Sequence, residues 1–241
     1  MLCEIIKVFD GGDGSGHYNH VGIPEHKGGS ARSGKFRRNQ NKNFSSSHTE
    51  SKEYDPKSKI KERIKGISEE DTDRYYMSLY YYTGSYYDRI KQAYRDKYSG
   101  KQFDEEFEKY SNDLDDFIYR SEKYEGTVYR GLGVSDEDAD KIINKLKQGK
   151  TMDMQGISSW SSNKSISMNF GKNSLDDNKN ICLLFNLENK SGASVKELSV
   201  FPEEDEILHP TTSRYVLKNN DFKTTELENG KKIIEINLKE V

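Results

Sequence analysis

The stretch FPEEDEILHP, Phe201 to Pro210, carries four acidic side chains, Glu203, Glu204, Asp205 and Glu206, at the mouth of what reads as a short strand. Residues i and i+2 of a strand project to one face, so the spacing predicts Glu204 and Glu206 side by side and Asp205 facing away. Two carboxylates on one face repel, and such a pair calls for a cation, a hydrogen-bonding partner or a catalytic purpose. The triplet alone does not decide. Glu-x-Glu recurs at Glu106-Phe107-Glu108 inside a helical pattern and at Glu226-Leu227-Glu228 before a glycine turn, and a solvated acidic turn has the same composition.

Other groups that could do chemistry are sparser. His17, His20 and His26 lie close together but lack metal-ligand spacing or a supporting carboxylate pair, and Cys3 and Cys182 form neither a metal motif nor a disulfide framework, so no metal is expected. Between Lys27 and Lys42 there are six basic residues and no acidic one. With Phe36 as its one aromatic, this reads as a solvated tail rather than a nucleic-acid patch. A net charge of -3 does not imply a nucleic-acid or membrane partner. No apolar run approaches the ~18 residues of a membrane span, and MLCEIIKVF is too short and too charged for a signal-peptide core.

The elements that must position the acids begin late in the chain. Of the 241 residues only 32% are hydrophobic and 33% are charged, which fits one compact domain plus poorly ordered sequence. Residues 1–58, rich in Gly, Ser, Asn and charge, are expected to be an extended tail, and residues 59–241 the folded domain. Ser68 with Asp71 predicts a helix start, followed by Tyr75, Leu79 and Tyr82 at helical spacing. Tyr87, Ile90 and Tyr94 mark a second helix, and Phe103, Phe107, Tyr110, Leu114 and Phe117 a third. After Gly126 the period changes. TVYRGL is strand-like, Ser135 to Gly149 is a capped helix with Ala139, Ile142, Ile143 and Leu146 inward, and GISSW, NICLLFNL, EILHP, RYVLKNN and KKIIEINLK are strand-like. Helices first and strands later predict an α+β fold with two packed, mainly antiparallel β-sheets preceded by several helices.

Three pieces in order, VYRGL at 128–132, ISSWSSNKSISMNF at 157–170 and FPEEDEIL at 201–208, resemble the mono-ADP-ribosyltransferases of the arginine, serine, glutamate type, the group that contains binary toxins such as iota toxin. The aromatic-arginine pair falls on Tyr129 and Arg130 with Gly131 after it, the Ser-x-Ser on Ser159-Trp160-Ser161, and the Glu-x-Glu on Glu204-Asp205-Glu206. Phe170 stands eleven residues after Ser159 and Phe201 three before Glu204, as in that family. Upstream, Tyr82 and Tyr87 in YYTGSYYDRI resemble the tyrosines that border its NAD pocket. Two positions depart. Trp160 replaces the usual Thr and is expected to face outward, and Lys91 replaces an asparagine near the nicotinamide side.

The resemblance implies NAD as co-substrate, bound by Arg130, Tyr129, Gly131, Ser159, Ser161, Phe170, Tyr82 and Tyr87. The residue types suit that ligand, since a guanidinium fork fits phosphate, a serine hydroxyl can orient a glutamate, and an aromatic face can stack on nicotinamide. Glu206 is expected to accept a hydrogen bond from the ribose 2'-hydroxyl and to stabilise positive charge on the sugar as nicotinamide leaves. Glu204 is expected to hold and help deprotonate an attacking guanidinium, since glutamate there accompanies arginine targets in the family, and Phe201 to help recognise a target protein with an accessible arginine. The alternatives are an NAD glycohydrolase, with water as acceptor, and a catalytically silent interaction module. GSGHYNHVGIPEHKGGSARSG more weakly resembles segments near such domains in phage minor head proteins, which implies a capsid partner and a virion or host-cytoplasm location, with a secreted effector as the alternative.

Overall fold

The computed structural model describes residues 7–8 and 55–241. The expected tail and its phage-like segment therefore lie outside the described residues, apart from Lys7–Val8 and the last four positions, 55–58, which open a helix. That helix, α1 (Pro56–Arg63), starts where the Asp55 side chain accepts from the Lys57 amide at 3.0 Å and Pro56 occupies the first turn, where no amide proton is required. Helix α2 (Glu69–Thr83) starts at the predicted cap, with Ser68 Oγ accepting from the Asp71 amide. Helices α3 (Tyr87–Tyr98) and α4 (Glu105–Arg120) follow. Their inward stripes bury Ile60, Tyr75, Leu79, Tyr82, Ile90, Phe107, Leu114 and Phe117 in one core. Tyr87 and Tyr110 are only partly buried against it.

The strands are β1 (Lys7–Val8), β2 (Thr127–Val134), β3 (Met152–Asp153), β4 (Ser158–Ser161), β5 (Ile181–Glu188), β6 (Ala193–Ser194), β7 (Glu206–His209), β8 (Tyr215–Glu226) and β9 (Lys232–Glu240). Helix α5 (Asp136–Lys147) separates β2 from β3, and α6 (Lys164–Asn173) separates β4 from β5. The spatial order is β1-β3-β8-β9-β5-β2-β4-β7-β6, antiparallel throughout except for β5 with β9. The fold is thus α+β and mainly antiparallel, as expected. The two sheets are joined into one hydrogen-bonded order, because β2 pairs along its length with β5 and also meets β4 at Tyr129↔Ser161. Between the two halves lies a second core, in which Val128 and Leu132 of β2 and Phe185 of β5 join Trp160 of β4, Ile207 of β7 and Tyr215 of β8.

Two further differences have physical causes. Strand β8 runs to Glu226, well past the expected RYVLKNN, with an irregularity between Leu217 and Phe222. Most of its residues after Lys218 are exposed, so no alternation of apolar side chains marks it. Trp160 is buried, not outward-facing, at 2% exposure. It alternates with Ser159 and Ser161, and the side of β4 opposite those serines is the inter-sheet core, where its ring packs 5.3 Å from those of His209 and Tyr215.

Candidate active site

The C-terminus of α2, the middle of β2, the end of β4, the middle of α6 and the turn before β7 converge on a cavity of about 370 Å³. Tyr82, Tyr87, Tyr129, Arg130, Gly131, Ser159, Ser161, Phe170, Phe201, Glu204 and Glu206 all line it. The residues singled out in the sequence, spread from Tyr82 to Glu206, therefore meet in one place. Lys91 is buried on α3 and is not part of this lining.

The two glutamates reach the cavity by a different route from the one strand alternation predicts. Pro202–Glu204 form a single 3-10 turn, Asp205 follows with φ 49°, and β7 begins only at Glu206. The left-handed residue reverses the chain between the glutamates, and aspartate tolerates this region better than most side chains. The turn is tied down at several points. Ser161 Oγ donates to the Glu204 carbonyl at 2.7 Å, the Ser162 amide donates to the Asp205 carbonyl at 3.1 Å, and Lys196 pairs with the Asp205 carboxylate at 2.5 Å. Ser161 thus holds the loop from inside the cavity wall.

Glu206 is 7% exposed, and burial raises its carboxyl to about 7. Hydrogen bonds from Ser159 and Ser199 and the nearby Arg130 charge oppose that rise, while Glu204 adds to it. Glu204 is half-buried, and desolvation raises its carboxyl as well. Ser159 Oγ also lies 3.3 Å from the Tyr82 hydroxyl, which itself donates to the Ile157 carbonyl at 2.9 Å. Arg130 projects from β2 to the inter-sheet side, 2% exposed, and donates from its Nη1 to the Ser159 carbonyl. Burial lowers its guanidinium to about 10. Phe170 on α6 is half-buried, whereas Phe201 stands at the rim, 43% exposed.

Gly131 has a packing role that its sequence position did not reveal. A Cβ there would overlap the Ser167 carbonyl oxygen and come within 2.9 Å of the Gly171 amide nitrogen, so only glycine lets α6 lie directly on β2. Ser167 reinforces that contact by donating to the Tyr129 carbonyl at 2.8 Å. Asp88, at the start of α3, and Thr83-Gly84-Ser85 also line the cavity and were not singled out, although the latter were visible as the interruption between α2 and α3. Among the described residues no group of three His, Cys, Asp or Glu is placed to hold a metal ion, and no helix is long and apolar enough to cross a membrane.

The family model of the ADP-ribosyltransferase exoenzyme matches residues 57–240. Among solved structures, the chain is similar to the ADP-ribosyltransferase Vis of Vibrio splendidus in complex with agmatine, at 16% identity and TM-score 0.56, covering 80% of this chain and 88% of that one. It is similar to an ADP-ribosyltransferase of Clostridium botulinum at 14% identity and TM-score 0.52, covering 81% and 99%. Exoenzyme S of Pseudomonas aeruginosa, bound to carba-NAD, gives 19% identity and TM-score 0.50 over 77% and 87%. A search of curated proteins by sequence finds no match. With nearly all of the described residues matched and this arrangement of strands and helices, the chain belongs to the ADP-ribosyltransferase exoenzyme family, enzymes that use NAD as the donor of ADP-ribose.

Proposed function

We propose that the protein is a mono-ADP-ribosyltransferase that modifies arginine side chains of target proteins and acts as an effector. The observation that carries this reading is the convergence of a buried carboxyl, Glu206, and a half-buried one, Glu204, on one cavity whose rim is the exposed ring of Phe201. A cavity of this volume falls in the usual range of small-molecule sites, about 300–1,000 Å³. Its aromatic walls, Tyr82, Tyr87 and Phe170, and the cationic Arg130 match a ligand with a flat ring and a diphosphate.

NAD supplies a ribose whose bond to a cationic nicotinamide breaks to leave positive charge on the sugar. Glu206, ionised, faces that charge and accepts a hydrogen bond from the adjacent ribose hydroxyl. A hydrogen bond from Ser159 and the Arg130 charge favour the ionised form of Glu206 against the cost of its burial. Glu204, half-buried in the cavity lining, takes the acceptor guanidinium and its proton, because a guanidinium is fully charged and not nucleophilic until a base removes that proton. Asp88 adds a third acidic side chain to the lining, which favours a cationic acceptor. The complex of Vis with agmatine, itself a guanidinium compound, is consistent with such an acceptor.

The test is labelled NAD incubated with a mixture of arginine-bearing proteins and either the native chain or Glu204→Gln. Label on protein that is lost at least ~100-fold in the variant, with nicotinamide release retained, supports the reading. Nicotinamide release without transfer by the native chain would make it an NAD glycohydrolase instead.

A further inference from the structure

Ser199 lies outside the cavity lining and outside every motif named above, yet it sits behind the Glu206 carboxylate. It is 8% exposed, its Oγ donates to Glu206 Oε2 at 3.5 Å, and the same Oγ accepts from the Phe201 amide at 3.1 Å. Its own amide donates to the Val195 carbonyl at 2.8 Å, and the Val195 amide donates to the Glu206 carbonyl at 2.9 Å, so the segment from 195 to 206 closes on itself. From the other side, Thr83 at the end of α2 accepts from the Val200 amide at 3.0 Å. The backbone around Ser199 is therefore held on both sides, and with the Phe201 amide donating to its oxygen, the Glu206 carboxylate is the acceptor its hydroxyl faces.

The other serine at the carboxylate is differently placed. Ser159 has one hydroxyl proton and two acceptors within reach, the Glu206 carboxylate and the Tyr82 oxygen at 3.3 Å, and Tyr82 has committed its own proton to the Ile157 carbonyl. Whenever Ser159 turns to Tyr82, Glu206 depends on Ser199. The charged and titratable groups around Glu206 are Arg130 from β2, Tyr82 from α2 and Glu204 from the preceding turn, and of these only Arg130 favours the ionised carboxyl.

We infer that Ser199 is a positioning residue for the reaction: it donates to Glu206 and fixes its rotamer, and through the Phe201 amide it ties the carboxylate to the loop that meets the acceptor. This rests on the role of Glu206 given above. A hydrogen bond to a charged group is stronger than one between neutral groups, and a long one is weaker than a short one. Loss of the hydroxyl is thus expected to move the midpoint of Glu206 ionisation upward, by at most about one pH unit.

The experiment follows two readouts in the full chain and in Ser199→Ala and Ser199→Thr. One is kcat/KM for nicotinamide release from NAD against pH. The other is the carbon-13 resonance of the Glu206 carboxyl against pH without NAD, assigned by its absence in Glu206→Gln. Both midpoints are expected to rise in Ser199→Ala and to return in Ser199→Thr, which keeps the hydroxyl. A midpoint unchanged in Ser199→Ala, with rates lowered equally at every pH, overturns the inference, as does an equal shift in both variants. If the native chain releases no nicotinamide, the functional reading fails, and the carboxyl titration still decides for or against Ser199.

Discussion

Replacing Glu206 by glutamine should stabilise the protein at alkaline pH and leave it nearly unchanged in acid. Burial moves this carboxyl from an ordinary 4.5 to about 7, which corresponds to about 3 kcal/mol. The sign follows from proton counting. Between these two values the folded state binds more protons than the unfolded one, so stability falls as pH rises. Below pH 4.5 both states are protonated and burial costs little. Above pH 7 both are ionised and the folded chain carries the full desolvation cost. Glutamine has nearly the same shape and no charge, so the variant lacks this slope, and contributions from groups that do not interact with Glu206 cancel in the difference. Urea unfolding of both proteins at about pH 5, 6, 7 and 8.5 should show the variant gaining about 3 kcal/mol on the native chain across the range. Parallel stability profiles would mean that Glu206 ionises in the folded state as it does in water, and would refute the buried, catalytically poised carboxyl.

Three further outcomes are expected. Trp160→Ala should cost about 3–5 kcal/mol in urea unfolding, because the ring fills the core between the sheets against His209 and Tyr215. Gly131→Ala should destabilise by about 1–3 kcal/mol and weaken NAD binding in calorimetry, since the added carbon pushes α6 and Phe170 away from β2. The acidic limb of kcat/KM for nicotinamide release should lie near pH 7, where Glu206 becomes ionised, and activity should rise with pH through it.

Much of the site could be read before the fold. Tyr82, Arg130, Ser159, Phe170 and Glu206 have side chains whose chemistry fits NAD, and their spacing matched a known order of motifs, so their meeting in one cavity was expected. Arrangements set by a single backbone conformation were not legible. Asp205 adopts a left-handed conformation with no glycine to announce it, so alternation placed Glu204 on a strand that it does not join. Trp160 read as outward-facing because one sequence does not say that the side of β4 away from the cleft is an inter-sheet core. Strand β8 outruns the expected RYVLKNN because its second half is exposed and polar and carries no apolar alternation. Ser199 is one of many serines in the chain, and only the closed loop from Val195 to Glu206 distinguishes it.

The central claim is that Glu206 promotes cleavage of the bond between ribose and nicotinamide. Nicotinamide release from NAD, measured at about pH 8 for the native chain and Glu206→Gln after both are shown to be folded, tests it most directly. Release by the native chain and a loss of at least ~100-fold in the variant are expected, the scale seen when one electrostatic contact to a transition state is removed. Equal rates in the two proteins would contradict it.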